Sequence, residues 1–338
     1  MIDWATARLR CTHDSSKLFG GLVVSMNAKG EVEWQTEKRV VVEGSYSKNI
    51  TVRSHTDGVI EISGNPAKFL QGHNVFGSDD LIHLITKTLD RLIALDIGLT
   101  PTQEELQKIA KGFFAVTRVD VNEHFAFNSE QSAKAYLRAI ANSSNMRHRG
   151  AGQFRGDTLY FSPQSRRTVA KIYHKGDEIH SRKKEHRLHD DFLAIPELVS
   201  YATNSLRLEL KILSTQLKDW ELNFGYNWTL ETPFYLLNKH FIDKLELSEN
   251  MPIQDDVLET LPSKLRLVYS AWSSGEDLKR VLPETTFRRH RKALQQYGID
   301  IAIVQDSKPK ENIIPMISYL VVTPMGIPSW AYEKGLVA

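Results

Sequence analysis

Over the first two hundred residues, stretches in which apolar and polar side chains alternate at every position are interleaved with stretches in which apolar side chains return every third or fourth position. The first pattern is that of a strand, whose side chains point to opposite faces in turn; the second is that of a helix. Strands are predicted at residues 2–10, Leu22–Met26, Glu37–Val42, Ile50–Arg53 and Val59–Ile62. The last two flank Thr56-Asp57-Gly58, an Asp-Gly connection that favours a hairpin. Leu81, Leu84, Ile85, Leu89, Leu92 and Ile93 fall at helical spacing behind Ser78-Asp79-Asp80, whose short side chains can cap exposed backbone donors. A short helix at Gln103–Lys111, a strand at Ala115–His124 and a helix at Glu130–Ala141 follow. Strands at Thr158–Phe161 and Thr168–His174 enclose the turn Ser162–Ser165, and a charged helix then leads to a strand at Leu206–Ile212. The remainder reads as mainly helical, with a late apolar segment at Ile313–Val322.

Three strands divide their side chains cleanly between faces. Arg118, Asp120 and Asn122 oppose Val119 and Val121; Lys171, Tyr173 and Lys175 oppose Ala170 and Ile172; Arg207, Glu209 and Lys211 oppose Leu206, Leu208 and Leu210. A sheet with such strands has a back to be covered by helices and a front free for chemistry, or an ordinary wet face. The expected fold class is therefore α+β: an N-terminal antiparallel-sheet domain over residues 1–213 with helices on one face, then a mainly helical domain over 230–338.

Composition narrows the function classes. A chain of 338 residues with 41% apolar and 25% charged residues has ordinary globular composition, and its length suggests roughly two domains. No apolar run is long enough to span a membrane, and the start, Met1-Ile-Asp-Trp, lacks the pattern of a signal peptide, so a cytoplasmic protein is expected. Cys11 is the only cysteine, which excludes disulfide scaffolds and thiolate metal cages. No Gly-rich loop ending in Gly-Lys-Ser/Thr is present, which argues against a P-loop NTPase.

The net charge of +2 hides an uneven distribution. Residues 145–190 hold eleven Lys/Arg, Arg166 and Arg167 among them, against five Asp/Glu, with five of the twelve histidines. A second cluster comprises Lys279, Arg280, Arg288, Arg289, Arg291 and Lys292. Such clusters suit the phosphates of nucleic acid, or simply a solvated surface. Around the second, Glu276–Val281 and Thr285–Tyr297 are separated by Leu282-Pro283-Glu284, where Pro283 interrupts a continuous helix. The arrangement is that of a candidate helix-turn-helix, with Phe287 and Leu294 on its buried face.

Asp120, Glu178 and Glu209 offer hard oxygen ligands of the kind that hold Mg²⁺ or Mn²⁺. A metal there would polarise a phosphoryl oxygen, and Tyr173 could become a nucleophile once its proton is withdrawn. Lys175 could then stabilise negative charge. The plainer alternative is a packed Tyr173 ring and carboxylates that only pair with Arg118 and Arg207. His73 offers a supporting ligand, although no two histidines lie two positions apart, so the His-apolar-His metal pair is absent.

The stretches Asn65-Pro-Ala-Lys-Phe-Leu-Gln-Gly-His-Asn-Val-Phe-Gly77, Thr117-Arg-Val-Asp120, Tyr173-His-Lys-Gly-Asp-Glu178 and Leu206-Arg-Leu-Glu209, in this order, resemble the gene II replication proteins of filamentous bacteriophages. These form the II/X family of phage and plasmid replication proteins. Leu282–Arg291 and Asn312–Met316 also look like the family, so the resemblance reaches from the first strand to near Trp330. It implies a site-specific nickase and ligase that starts rolling-circle replication through a tyrosine–DNA bond, without ATP. It further implies origin DNA as substrate, a bacterial host cytoplasm as setting, host polymerase, helicase and single-strand-binding protein as partners, and a homo-oligomer on DNA. By the same resemblance Tyr173 is the nucleophile, Lys175 its electrostatic partner, and Asp120, Glu178 and Glu209 the metal ligands. Tyr160 on the neighbouring strand is the other candidate nucleophile. The remaining alternative is a non-catalytic origin-binding or regulatory protein that keeps the basic residues, Arg118, Arg166, Arg167 and Arg207 with Arg288, Arg289, Arg291 and Lys292, as DNA contacts.

Overall fold

The strand-forming segments meet in one large sheet. The structure, a computed structural model, describes residues 1–146, 149–183, 185–247, 261–273, 275–297, 299–303 and 325–337. Its strands are β1 (Ile2–Arg10), β2 (Leu22–Met26), β3 (Val32–Glu37), β4 (Val40–Glu43), β5 (Asn49–Thr56), β6 (Val59–Gly64), β7 (Ala115–Ala126), β8 (Ser144–Met146), β9 (Gly150–Ala151), β10 (Gln153–Arg155), β11 (Thr158–Phe161), β12 (Thr168–His174), β13 (Ser205–Leu213) and β14 (Leu245–Leu247). Nine of them form a sheet in the order β10-β11-β12-β13-β7-β1-β6-β5-β4, antiparallel at every pairing.

The apolar face of this sheet is the main core. Ala5, Ala7, Ile62, Val52, Val119, Val121, Ile172, Leu208 and Leu210 are buried there beneath the helices Leu81–Ala94, Glu130–Ser143, Ser214–Asp219 and Thr232–His240. Asp80 caps the first of these by accepting from His83 N–H at 2.8 Å, as the Ser78-Asp79-Asp80 signal suggests. The α+β architecture, with helices on one face of an antiparallel sheet, is thus the one expected.

Packing divides the rest of the chain. Leu236, Leu237, Phe241 and Leu245 belong to the core of the sheet. A second cluster joins Leu265, Tyr269, Trp272, Leu278, Phe287 and Leu294 from the helices Ser263–Ser273, Leu278–Val281 and Glu284–Gln295. Leu282 is extended before Pro283, which separates the last two helices in the helix-turn-helix manner. A third cluster brings Ala331 and Leu336 back onto Val75, Phe76, Phe192 and Leu198 of the sheet-bearing unit. Described residues of the 230–338 span thus contribute to all three clusters, and the helices between Ser263 and Gln295 form the second. No described helix is long and apolar enough to cross a membrane. The expected apolar segment Ile313–Val322 lies outside the described residues.

Two local expectations change. The single strand at Glu37–Val42 is split, because β3 pairs only with β2 while β4 joins the large sheet, and Lys38–Arg39 links them. Gly20 packs there against the Lys38 and Arg39 carbonyls, where a Cβ would come within 2.7 and 2.9 Å. The charged helix after His174 is instead three short ones, Lys175–Ile179, Asp190–Leu193 and Pro196–Thr203. Pro196 forces Ile195 to be extended and restarts the chain as a helix.

Candidate active site

The polar face of the sheet is set by register. Lys171 stands level with Glu209 and Tyr173 with Arg207; on the other side of β13, Glu209 is level with Asn122 and Arg207 with His124. Asp120 comes two residues before Asn122 and is level with Trp4 on β1. Period-two alternation therefore gathers Lys171, Tyr173, Arg207, Glu209, Asp120 and Asn122 on one face.

Tyr173 is near the end of β12, and its hydroxyl donates to Glu209 Oε2 at 3.2 Å. The other oxygen of Glu209 accepts from Lys171 Nζ at 2.8 Å, and the same ammonium lies 5.2 Å from the centre of the Tyr173 ring. Burial raises the Tyr173 phenol well above its ordinary pKa, and the Arg207 guanidinium opposes the rise. Burial also raises Glu209; Lys171 opposes this, while Asp3 and Asp120 add to it. A carboxylate with a raised pKa next to a phenol is better matched as a proton acceptor than one at its ordinary value.

A second network adjoins the first through Arg207, which is level with Tyr173. Asp3, in the irregularity where β1 slips on β7, accepts from Arg207 Nη2 at 3.1 Å, Asn65 Nδ2 at 2.8 Å and Asn74 Nδ2 at 2.6 Å. Arg207 also donates to the Asn74 carbonyl at 2.9 Å. Asn74 Oδ1 accepts from Lys175 Nζ at 3.0 Å, and Lys175 reaches Glu178 at 2.5 Å. Lys175, with Lys68 and His186, outweighs burial and holds Glu178 well below the carboxylate range. Sequence reasoning missed Asp3, Asn65 and Asn74. The available signal was local: Asn65-Pro66 opens the helix Pro66–Gln71, Asn65 caps it, and Gly72 at φ 86° closes it.

The predicted site residues divide accordingly. Tyr173, Glu209 and Asp120 share the polar face. Lys175 follows the end of β12 and is fully buried in the Asn74–Glu178 network, so Lys171 is the lysine beside Tyr173. Arg207 was expected to contact DNA; it is fully buried and held by Asp3 and Asn74. Arg118 clasps Asp120 through two nitrogens at 2.8 and 2.6 Å and lies over the Trp4 ring. His73 is buried against Phe76 and Phe192, and burial lowers its pKa to about 4. Tyr160 is half-buried and level with Lys171 on the polar face.

The basic surface is likewise uneven. Arg166 is exposed, whereas Arg167 pairs with Asp219. In the helix Glu284–Gln295, Arg289 and Lys292 lie outside the buried face, and exposed Arg288 pairs with Glu284 one turn earlier. Arg291 instead grips Asp300 through two bonds at 2.8 and 2.9 Å; Arg138 of the sheet-bearing unit reaches the same carboxylate at 2.6 Å.

Asp120, Glu178 and Glu209 do not converge on one point. Among the described residues, the one group of three donor atoms within 4.8 Å of each other is Glu130, His174 and Asp177. That group is already satisfied: Lys134 pairs with both carboxylates, and both His174 nitrogens are bonded, to Asp177 N–H and the Thr203 carbonyl. On the polar face Asp120 is likewise bonded, by Arg118, and Glu209 by Tyr173 and Lys171, whereas Asn122 is not. Asn122 is 2% exposed, stands level with Glu209 two residues from Asp120, and both atoms of its carboxamide are buried without a partner. Asp120, Asn122 and Glu209 thus supply oxygen donors on adjacent strands.

Comparison with known proteins gives a consistent set of matches. The family model for the N-terminal part of the phage gene II replication-associated protein matches residues 1–231, and the model for its C-terminal part matches residues 254–337. The replication-associated protein of Enterobacteria phage I2-2 is 36% identical over 335 residues, covering 97% of this chain and 96% of the relative. Those of phages M13 and f1 are 23% identical over 311 residues, covering 77% of this chain and 74% of each relative. A solved rolling circle replication initiator protein from Geobacillus stearothermophilus is 11% identical with a TM-score of 0.35, over 73% of this chain and 85% of that one. That likeness is too weak to bear on the chemistry of this chain.

Proposed function

The chain belongs to the gene II replication-associated protein family, and from that premise we propose that it starts rolling-circle replication by nicking one strand of a circular DNA at its origin. The observation that carries the reading is the Tyr173–Glu209 hydrogen bond at 3.2 Å, buried in a face rich in cations. Glu209 takes the phenolic proton and the Tyr173 oxygen attacks the scissile phosphorus. The bond from phosphorus to the 3′ oxygen breaks, the 5′ phosphate remains on Tyr173 as a phosphotyrosine ester, and water protonates the released 3′ oxygen. Lys171 meets the charge that develops on the phosphoryl oxygens. A divalent cation, Mg²⁺ or Mn²⁺, held by Asp120, Asn122 and one oxygen of Glu209, would polarise a phosphoryl oxygen. Asp3, Asn65, Asn74 and Arg207 act by positioning the strand ends.

The ester preserves the energy of the phosphodiester bond, so a later attack by a 3′ hydroxyl can close a circle without ATP. The 3′ end suits extension by a host polymerase, with host helicase and single-strand-binding protein clearing the displaced strand in the bacterial cytoplasm. The sheet-bearing unit carries the chemistry. The helices between Ser263 and Gln295 offer Arg288, Arg289 and Lys292 to duplex DNA, where a second copy of the chain can join.

Incubation of the full chain with supercoiled origin DNA and Mg²⁺ tests the reading. Wild type should yield nicked circles and a protein–DNA adduct; Tyr173→Phe should yield neither while binding the same DNA. An adduct from Tyr173→Phe that disappears in Tyr160→Phe would move the nucleophile to Tyr160, whose half-buried position on the same face favours this second reading. Binding without any cleavage by wild type would leave an origin-binding protein.

A further inference from the structure

A second polar cluster is built around Glu61, three strands across the sheet from Glu209. Glu61 is 2% exposed and accepts three guanidiniums: Arg8 Nε at 2.9 Å on Oε2, and Arg39 Nη2 at 2.7 Å with Arg53 Nη2 at 2.9 Å on Oε1. Register brings them together, since Arg8 and Arg53 stand level with Glu61 from either side, and Arg39 enters from the link between β3 and β4. The cluster shares the polar face: Arg8 follows Thr6 and Trp4 by period two, and Trp4 is level with Asp120.

One carboxylate requires one cation. Three cations around it repel one another and leave a surplus of two positive charges, an arrangement that costs free energy unless a further anion arrives. The guanidiniums also keep donors in reserve. Each has five N–H groups and reaches Glu61 through one nitrogen. Arg53 Nε is buried without an acceptor, and the Arg8 and Arg39 side chains are 37% and 41% exposed. A phosphodiester, with its delocalised charge and planar fit to guanidinium, satisfies both the surplus charge and the spare donors.

We propose that Arg8, Arg39 and Arg53, organised by Glu61, form a phosphate-binding subsite for the single DNA strand whose scissile phosphate meets Tyr173. This rests on the reading of the Tyr173 face as strand-cleaving. On β7, Glu209 is level with Asn122, and Glu61 is level, through Arg8, with Ala115. With strands about 4.8 Å apart and about 3.3 Å per residue, the separation is on the order of 25 Å. The subsite therefore holds the backbone several nucleotides from the nick, and fixes which phosphate reaches Tyr173.

The test uses the full chain and a fluorescent single-stranded oligonucleotide carrying the origin sequence, with the duplex of the same sequence as a second probe. Affinity is read by anisotropy over a range of KCl concentrations. For Arg39→Ala with Arg53→Gln, single-strand affinity should fall about tenfold, and the slope of log affinity on log salt should flatten by about 0.7 for each phosphate no longer neutralised. Arg39→Lys should keep the slope. Arg39→Ala alone, an exposed position, gives the same direction of change if the double variant folds poorly by circular dichroism. Unchanged affinity and slope overturn the proposal, as does a loss confined to the duplex. Failure of wild type to nick origin DNA would remove the proposed function but not this binding measurement. Normal nicking with unaltered salt slopes would remove the subsite alone.

Discussion

Replacing Asp3 with Asn removes the charge that holds Arg207 beside the site while keeping its shape and one acceptor oxygen. Burial by itself raises the Asp3 pKa, but Arg207, Lys175 and Lys68 outweigh it and hold the group at about 2, against 3.8 for an ordinary Asp. A carboxylate depressed in the folded state contributes stability that is complete above its unfolded pKa and is lost as pH falls through its folded pKa. The gap between 3.8 and about 2 corresponds to about 2.5 kcal/mol. Asp3→Asn should therefore cost about 2.5 kcal/mol at neutral pH, because fully buried Arg207 loses its counter-charge. Urea denaturation followed by tryptophan fluorescence, repeated at a series of pH values, measures it. Other carboxylates also lose their partners in acid, but they do so in both proteins and cancel in the difference. That difference should shrink towards zero between about pH 4 and pH 2. A difference that persists unchanged into acid, or no difference at neutral pH, would refute the assignment of Asp3 as the ionised anchor of Arg207.

Glu209→Gln keeps an acceptor for the Tyr173 hydroxyl but cannot take its proton, so adduct formation should fall by about a hundredfold or more with DNA affinity retained; wild-type adduct yield would exclude Glu209 as the base. EDTA should abolish cleavage and Mg²⁺ or Mn²⁺ restore it, while Asn122→Ala should raise the metal concentration needed; full cleavage in EDTA would exclude metal assistance. Arg288→Ala with Lys292→Ala should weaken duplex binding and flatten its salt slope by about 0.9 for each phosphate no longer neutralised, whereas Arg291→Ala should chiefly lower the melting temperature by releasing Asp300. The reverse ranking, seen by titration and thermal melts, would place Arg291 on the DNA.

The two faces of the sheet were legible because alternation is a local property, complete within Leu206–Lys211. The partner of each polar residue was not, because it depends on register between distant strands. Asp3 has no marked neighbours in the chain, yet it meets Arg207 across 204 positions of sequence. In the Asn65–Gly77 stretch, His73 drew attention as a ligand type, but it is buried among aromatic rings while Asn65 and Asn74 make the bonds that lead to the site. Lys175 and Lys171 both carry the right charge near Tyr173; the strand ends between them, and only Lys171 remains on its face.

Charge density along the chain proved a poor guide to where positive charge is left over, for a physical reason. In the dense 145–190 stretch, Lys175 is buried against Glu178, while on the surface Arg187 pairs with Asp190 and Arg167 with Asp219, so part of its charge is already paired. Arg8, Arg39 and Arg53 lie far apart in the sequence and draw no attention, yet the pairing of β1, β6 and β5 and the link between β3 and β4 bring them to one carboxylate. Field strength at a surface depends on the number of cations per enclosed counter-ion, and that ratio is fixed by register. The same register sets Glu209 beside Tyr173, so a slip of one residue in β13 would turn its polar side chains to the other face and remove the proton acceptor from the phenol.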